Sequence, residues 1–274
     1  MKVISITSLS SWIHCPRQFF MQSVLGIKGP PNSAMILGLI KHKFHELSSA
    51  KEEAIVLSLT QSSNANEEYQ REYVQLLQKS VQTYLSMLRT VNILPTEAYQ
   101  KAAAMITSEA IERAALVQPL LAKGIIKEEA WHALQPKIKS EYPIQSKKLA
   151  LKGRIDKLEC YPDKIIPIEL KSGSTPQAGV YETHRIQAGS YALLLQESFG
   201  TSVQEAIVHY VDTNTKRTVT LNPFLAEWIV ETASSVRNCI ETRELPKICG
   251  KDGCTACKIT SNQEYVKRAL ANLE

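Results

Sequence analysis

The segment Gly153–Gly173, GRIDKLECYPDKIIPIELKSG, holds the residues best placed to do chemistry. It reads as two strands, with Asp156 towards the end of the first and Glu169 and Lys171 towards the end of the second. Side chains alternate along a strand, so Glu169 and Lys171 share one face while Ile166, Ile168 and Leu170 share the other and can pack on a helix. A carboxylate and an ammonium on a face that burial would make apolar point to a working surface. Two carboxylates on adjacent strands suit a hard divalent cation, which takes oxygen ligands. Such a cation activates water and polarises a phosphodiester, and a lysine beside it stabilises the charge that develops. Taken alone, Glu-x-Lys is also an ordinary exposed ion pair on a strand, which contributes little. The preceding GRID strand shifts the balance to chemistry.

The second chemical feature is Cys249-x4-Cys254-x2-Cys257, three of the chain's six cysteines within nine residues. Free thiols so crowded are unusual, and metal ligation is the common reason for them. If Cys15, far away in sequence, joins them, the two ends of the chain are tied together. Four thiolates suit tetrahedral zinc or an iron–sulfur cluster. The local spacing equals the run that holds a [2Fe–2S] cluster in plant-type ferredoxins. Cys160 and Cys239 read as small hydrophobes.

These residues need elements to position them. SLSSWIHCPRQFF reads as a short helix with Ser8 or Ser10 as N-cap, and Pro30–Pro31 as a break. A helix over Ser33–Ser49 carries GLIKHKFHEL. Residues 51–135 show two long helical stripes, one through Tyr69, Tyr73, Leu77, Val81 and Leu88, the other through Ala98, Ala102, Met105, Ile106 and Ala110. Such stripes are core faces. Strand runs follow at Ile138–Ile144, Leu149–Glu159 and Ile165–Lys171, then a helix over Glu182–Ser198. A hairpin turns around Thr213–Asn214–Thr215. Asn222–Pro223 starts a helix that ends before Pro246. The order implies a central mixed sheet flanked by helices. The expected organisation is N-terminal helices over 1–50, a helical insertion over 51–135, the catalytic core over 136–245 and a cysteine-rich segment over 246–274.

With these elements in place, Asp156 followed by Glu169-Leu170-Lys171 resembles the PD-(D/E)xK nuclease signature. Gln187 and Tyr191 in HRIQAGSYALLLQE resemble the Q-x-x-x-Y motif of RecB-type nucleases, and Gly38 and His42 in GLIKHKFHE resemble their G-x-x-x-H motif. Cys15–Pro16 before the core, with three cysteines after it, resembles the iron–sulfur subgroup, above all the CRISPR-associated RecB-like exonucleases. The resemblance implies a restriction-endonuclease-like α/β core and metal-assisted hydrolysis of DNA, on single strands. It implies that His42, Asp156 and Glu169 bind Mg²⁺ or Mn²⁺, that Lys171 acts on water, and that Gln187 and Tyr191 orient the strand. It also implies that Cys15, Cys249, Cys254 and Cys257 hold an iron–sulfur cluster, [4Fe–4S] ahead of [2Fe–2S]. His45, three residues beyond His42, competes for the histidine role because it lies on nearly the same helix face. Arg154 and Arg185 are candidate phosphate contacts.

A net charge of +5 and a pI near 8.8 permit a polyanionic partner without requiring one. No run approaches the ~18 apolar residues of a membrane span, and the start lacks a secretory layout, so a cytoplasmic protein is expected. The resemblance points to CRISPR spacer acquisition with integrase subunits as partners. The alternatives are a DNA-repair exonuclease with the same parts, a non-catalytic DNA-binding module that docks to integrase, and a zinc-stabilised scaffold.

Overall fold

The computed structural model describes residues 2–200 and 203–271. The chain opens with β1 (Ile4–Ser5), α1 (Ile6–His14), α2 (Pro16–Phe19) and a π turn over Phe20–Val24. Helix α3 (Ser33–Ser58) leads into α4 (Ala65–Thr83), α5 (Leu85–Thr90), α6 (Pro95–Ala122) and α7 (Lys127–Ala133). Strands β2 (Lys137–Ser146), β3 (Leu151–Cys160) and β4 (Ile165–Lys171) precede α8 (Glu182–Phe199). Then come β5 (Glu205–Tyr210), β6 (Thr215–Thr220), α9 (Pro223–Thr242), α10 (Thr255–Thr260) and α11 (Gln263–Ala271).

Several boundaries follow from local chemistry. Asn222 accepts from Leu225 N–H, and Pro223 at the first helical position starts α9. The cap of α1 differs from expectation: Ser5 accepts from Ser8 N–H, and Ser8 and Ser10 lie inside the helix. Helix α3 runs on to Ser58, past the expected end at Ser49, because Ile55 and Val56 still face an apolar core. The change from N-terminal helices to helical insertion thus falls within one continuous helix.

The six-stranded sheet runs β1-β3-β4-β5-β6, with β2 on the other edge of β3. Parallel β4–β5 and β1–β3 pairs among antiparallel neighbours make it mixed. β1 pairs with Leu151 and Lys152 at one end of β3, and β4 pairs with Lys157–Cys160 at the other. The stretch between them, which includes Asp156, has no ladder partner on that edge. The strands part there and open a cleft.

Two cores cover the sheet. One joins α1, α2, α8 and α9 to residues such as Leu158, Val208 and Tyr210. The other is formed by α3–α7 and takes in Ile168, Leu170 and Val211. The helical block therefore shares its core with β4. Beneath the sheet that contact is ionic. Glu109 of α6 lies 3.2 Å from the Lys157 ammonium on β3, with His45 and His209 Nδ1 atoms at 3.8 and 3.9 Å. Burial opposes charge on both groups, but each holds the other ionised: Glu109 lies below its usual range and Lys157 above. Burial also drives the His45 pKa down to about 3, so both histidines stay neutral. Replacing Glu109 with Gln would leave a buried ammonium without a counter-charge. The expected cost is about 3–5 kcal/mol, read from the urea midpoint, with Glu109→Gln/Lys157→Met recovering much of it. Equal stability of the single variant and the wild type would refute this account of the contact.

Candidate active site

The cleft between β3 and β4 gathers the chemical residues. Asp156 would face Glu169 if the ladder continued past Lys157–Ile168. Instead its Oδ2 accepts from Leu170 N–H at 2.8 Å, and the carboxylate stands where a backbone bond would be. On β4, Ile168 and Leu170 enter the helical core while Glu169 and Lys171 turn the other way, as alternation requires. Lys171 lies 2.7 Å from Glu169 Oε1 and donates to Gln187 Oε1 of α8 at 3.0 Å. From the other side, α3 brings His42 Nδ1 to 3.3 Å from Asp156 Oδ1. His45, on the same helix, points to Glu109 beneath the sheet and not into the cleft. Gly38 lets α3 come this close, since a Cβ there would sit 3.1 Å from Ser172 Oγ.

Burial and crowding set the charges. Glu169 is only 2% exposed. Burial first, and the Asp156 charge second, push its pKa up to about 8. Burial opposes the Asp156 anion too, but the His42 hydrogen bond prevails and keeps its pKa low. Burial pulls His42 down, and Asp156 more than offsets this. Glu169 Oε2 is buried with no hydrogen-bond partner. An unpartnered carboxylate oxygen among crowded acids is a costly arrangement that a divalent cation would relieve. His42 and Asp156 fit such an ion as donors; the carboxylate grouped with them within 4.8 Å is that of Glu141, and Glu169 lies outside that group.

One acid in the cleft carries no sequence signal. Glu141, on β2, adopts φ +51, a left-handed conformation unusual outside glycine and one that costs about 1–3 kcal/mol. Its carboxylate, with ligand atoms of His42 and Asp156, forms a group within 4.8 Å, a span one metal ion could bridge. Arg154, exposed, lies 3.3 Å from Glu141. Asp212 is likewise not legible in the sequence: it pairs with Lys41 and accepts from Gly173 N–H at 2.7 Å, fixing the turn after Lys171. Tyr191 is buried, and its hydroxyl donates to the Arg154 carbonyl at 2.7 Å. It braces β3 where the strand lines the cleft. Arg185 lies outside the cleft, on the part of α8 that meets α9.

The four cysteines meet where the segment after α1 packs against the C-terminal segment. Cys15 Sγ lies 3.7 Å from both Cys254 and Cys257, and Cys257 lies 3.6 Å from Cys249. These gaps exclude disulfides. Cys15 ends α1 and caps α2, with Pro16 starting the new helix. Gly250 and Gly253, at φ +72 and +70, allow the turn between Cys249 and Cys254. Arg17 donates to the Pro246 carbonyl and Lys251 to the His14 carbonyl, joining the same two segments. Burial raises the Cys15 pKa to about 12, so a thiolate there calls for a bound cation. Thiols placed this way can hold a metal ion or a cluster. Cys160 and Cys239 lie outside the group.

Among the described residues no helix is long and apolar enough to cross a membrane. The sequence profile of the PD-(D/E)XK nuclease superfamily matches residues 3–261. The DNA replication ATP-dependent helicase/nuclease dna2 of Schizosaccharomyces pombe is 23% identical over 98% of this chain and 19% of its own length. A CRISPR-associated exonuclease Cas4/endonuclease Cas1 fusion of Myxococcus xanthus is 28% identical over 43% of this chain and 22% of its own. The chain spans about a fifth of the length of either relative. The crystal structure of SSO0001 aligns over 81% of this chain and 85% of that one, at 15% identity and a TM-score of 0.29. With the profile running from the first strand to the cysteine segment, the chain belongs to the PD-(D/E)XK nuclease superfamily.

Proposed function

We propose that this nuclease is a metal-dependent DNA exonuclease acting on single strands. The observation that carries the reading is the meeting of His42, Asp156, Glu169 and Lys171 where β3 and β4 part. His42, Asp156 and Glu169 would hold Mg²⁺ or Mn²⁺, with Glu141 beside them. When bound, the cation supplies a water of lowered pKa and polarises the phosphodiester. Lys171 orients the attacking water and stabilises charge on the phosphoryl oxygens. Gln187 holds the lysine in place, and Tyr191 keeps β3 in position. Arg154, exposed beside Glu141, is the candidate phosphate contact.

The four cysteines serve as a clasp for an iron–sulfur cluster, read as [4Fe–4S] rather than [2Fe–2S] from the motif order. A second reading has its own observation. Sulfurs bonded at ~2.3 Å to one tetrahedral ion lie about 3.8 Å apart, close to the 3.6–3.7 Å gaps here, which favours zinc. The cellular role we assign is spacer acquisition in the cytoplasm beside CRISPR integrase subunits, supported by the likeness to the Cas4/Cas1 fusion. A repair exonuclease is the other reading, supported by the longer alignment with dna2.

The test is cleavage of end-labelled linear DNA and of closed circular single strands, with Mn²⁺ and with chelator. Linear single strands should shorten from one end, chelator should stop the reaction, and circles should survive. Circles cut as fast as linear strands would overturn the exonuclease reading. DNA bound but never cut under any metal would leave a binding module.

A further inference from the structure

Beside the cleft lies a second surface that the catalytic reading does not use. A groove of about 470 Å³ runs between the first turns of α8 and α9 and the edge strand β6. Phe224, in the first turn of α9, is 82% exposed there, and half-buried Trp228 stands one turn on in the same groove. Arg185 of α8 supplies the cation. Glu182 also lines the groove, but among the described residues Arg185 has no carboxylate oxygen within 4.0 Å. So exposed a ring beside an unpaired guanidinium has no structural task in the fold.

The groove adjoins the active site. Gly179 and Val180 form part of its wall, and the next residue, Tyr181, stacks edge-on against His184 and Tyr210. Tyr210 is the strand neighbour of Lys171. Arg217 of β6 lies opposite Val208, on the α8 side of the sheet that also carries Glu169 and Tyr210. Its Nε is buried without a hydrogen-bond partner, and among the described residues it too has no carboxylate oxygen within 4.0 Å. Tyr210 itself is buried, so the ring exposed between the lysine and the groove is Tyr181, 40% exposed, and the accessible guanidinium is that of Arg185. Aromatic faces take unstacked bases of any sequence, and arginines take the phosphates between them.

We propose that this groove binds the single-stranded DNA substrate next to the cleft, with a base stacked on Phe224 and its phosphate on Arg185. The proposal rests on the DNA-nuclease reading above and adds the residues that select single strands. A base inside a duplex is already stacked on its neighbours, so Phe224 gives a duplex no advantage. Phe224 and Arg185 are positioning residues, remote from the reacting atoms.

The test is the affinity of fluorescent oligothymidylate, with Ca²⁺ in place of the catalytic metal, for wild type, Phe224→Ala, Phe224→Tyr and Arg185→Ala. Cleavage rates at saturating DNA are measured in parallel. Phe224→Ala should weaken binding about ten-fold or more, as loss of one stacked base does, while Phe224→Tyr stays close to wild type. A strand with abasic sites should bind wild type as weakly as oligothymidylate binds Phe224→Ala. The saturated rate should fall little, and duplex affinity should not move with Phe224. If wild type cuts single strands while Phe224→Ala and Arg185→Ala bind oligothymidylate as tightly as it does, the groove proposal falls and the nuclease reading stands. If wild type neither binds nor cuts single strands, both fall.

Discussion

Lys171→Ala is expected to lower cleavage at saturating DNA by on the order of 10²–10³-fold, with DNA affinity little changed. A single group aimed at developing charge typically contributes that much. The lysine suits the role because its surroundings fix both charge and direction. Burial would favour the neutral amine, but the Glu169 carboxylate 2.7 Å away prevails and holds the pKa up. Gln187 takes a second N–H at 3.0 Å, which leaves the third for water or phosphate. Lys171→Arg should not rescue, since a planar fork cannot replace a point charge in this space. Asp156→Ala should be at least as damaging, but it also removes the acceptor for Leu170 N–H. Asp156→Asn separates the two effects: the amide oxygen can still accept that bond while the charge is gone. It should fold like wild type, as seen by circular dichroism, and yet lose Mn²⁺ binding and cutting. A Lys171→Ala enzyme within a few-fold of the wild-type rate would remove the lysine from the chemistry.

Cys15→Ala is expected to abolish binding of the cluster or ion and to loosen the whole C-terminal segment. Metal bound by four thiolates contributes directly to folding, about 10–16 kcal/mol for structural zinc in small peptides. Beyond the cysteines, rather little holds 246–271 to the body. The apolar part is Ala256 against Met21 and Val266 with a few partly buried neighbours, and the polar part is centred on Arg17 and Lys251. Even a fraction of the metal's contribution, several kcal/mol, should lower the melting midpoint by roughly ten degrees or more. Limited proteolysis should then cut within 246–262. Cys160→Ala and Cys239→Ala serve as controls and should keep the metal. Iron and sulfide with absorbance near 400 nm in the wild type would identify the cluster; zinc alone would identify the single-ion clasp. Full metal content in Cys15→Ala would break the link between the chain ends.

Much of the site is legible in the sequence because its signals are local. Glu169 and Lys171 share a face because strand side chains alternate, and the strand Ile165–Lys171 has the bounds its composition predicts. Asn222–Pro223 starts a helix through bonds made within a few residues, whereas the single helix expected over SLSSWIHCPRQFF breaks at Cys15, whose extended backbone ends one helix and caps the next. The motif order places Asp156, His42, Gln187 and the cysteines in one expected arrangement, and the fold gathers each set. The tertiary structure decided the rest. His42 and His45 differ by three positions and look alike in sequence; only the docking of α3 sends one to Asp156 and the other to Glu109. Glu141 reads as an ordinary strand glutamate until its left-handed backbone aims it at the cleft. Asp212, and the buried Glu109–Lys157 pair, join residues tens of positions apart through sheet register and helix packing. Local sterics and hydrogen bonding act over two to four residues, so they write caps, faces and turns into the sequence. Which distant side chains meet depends on how finished elements pack, and no short-range pattern carries that information.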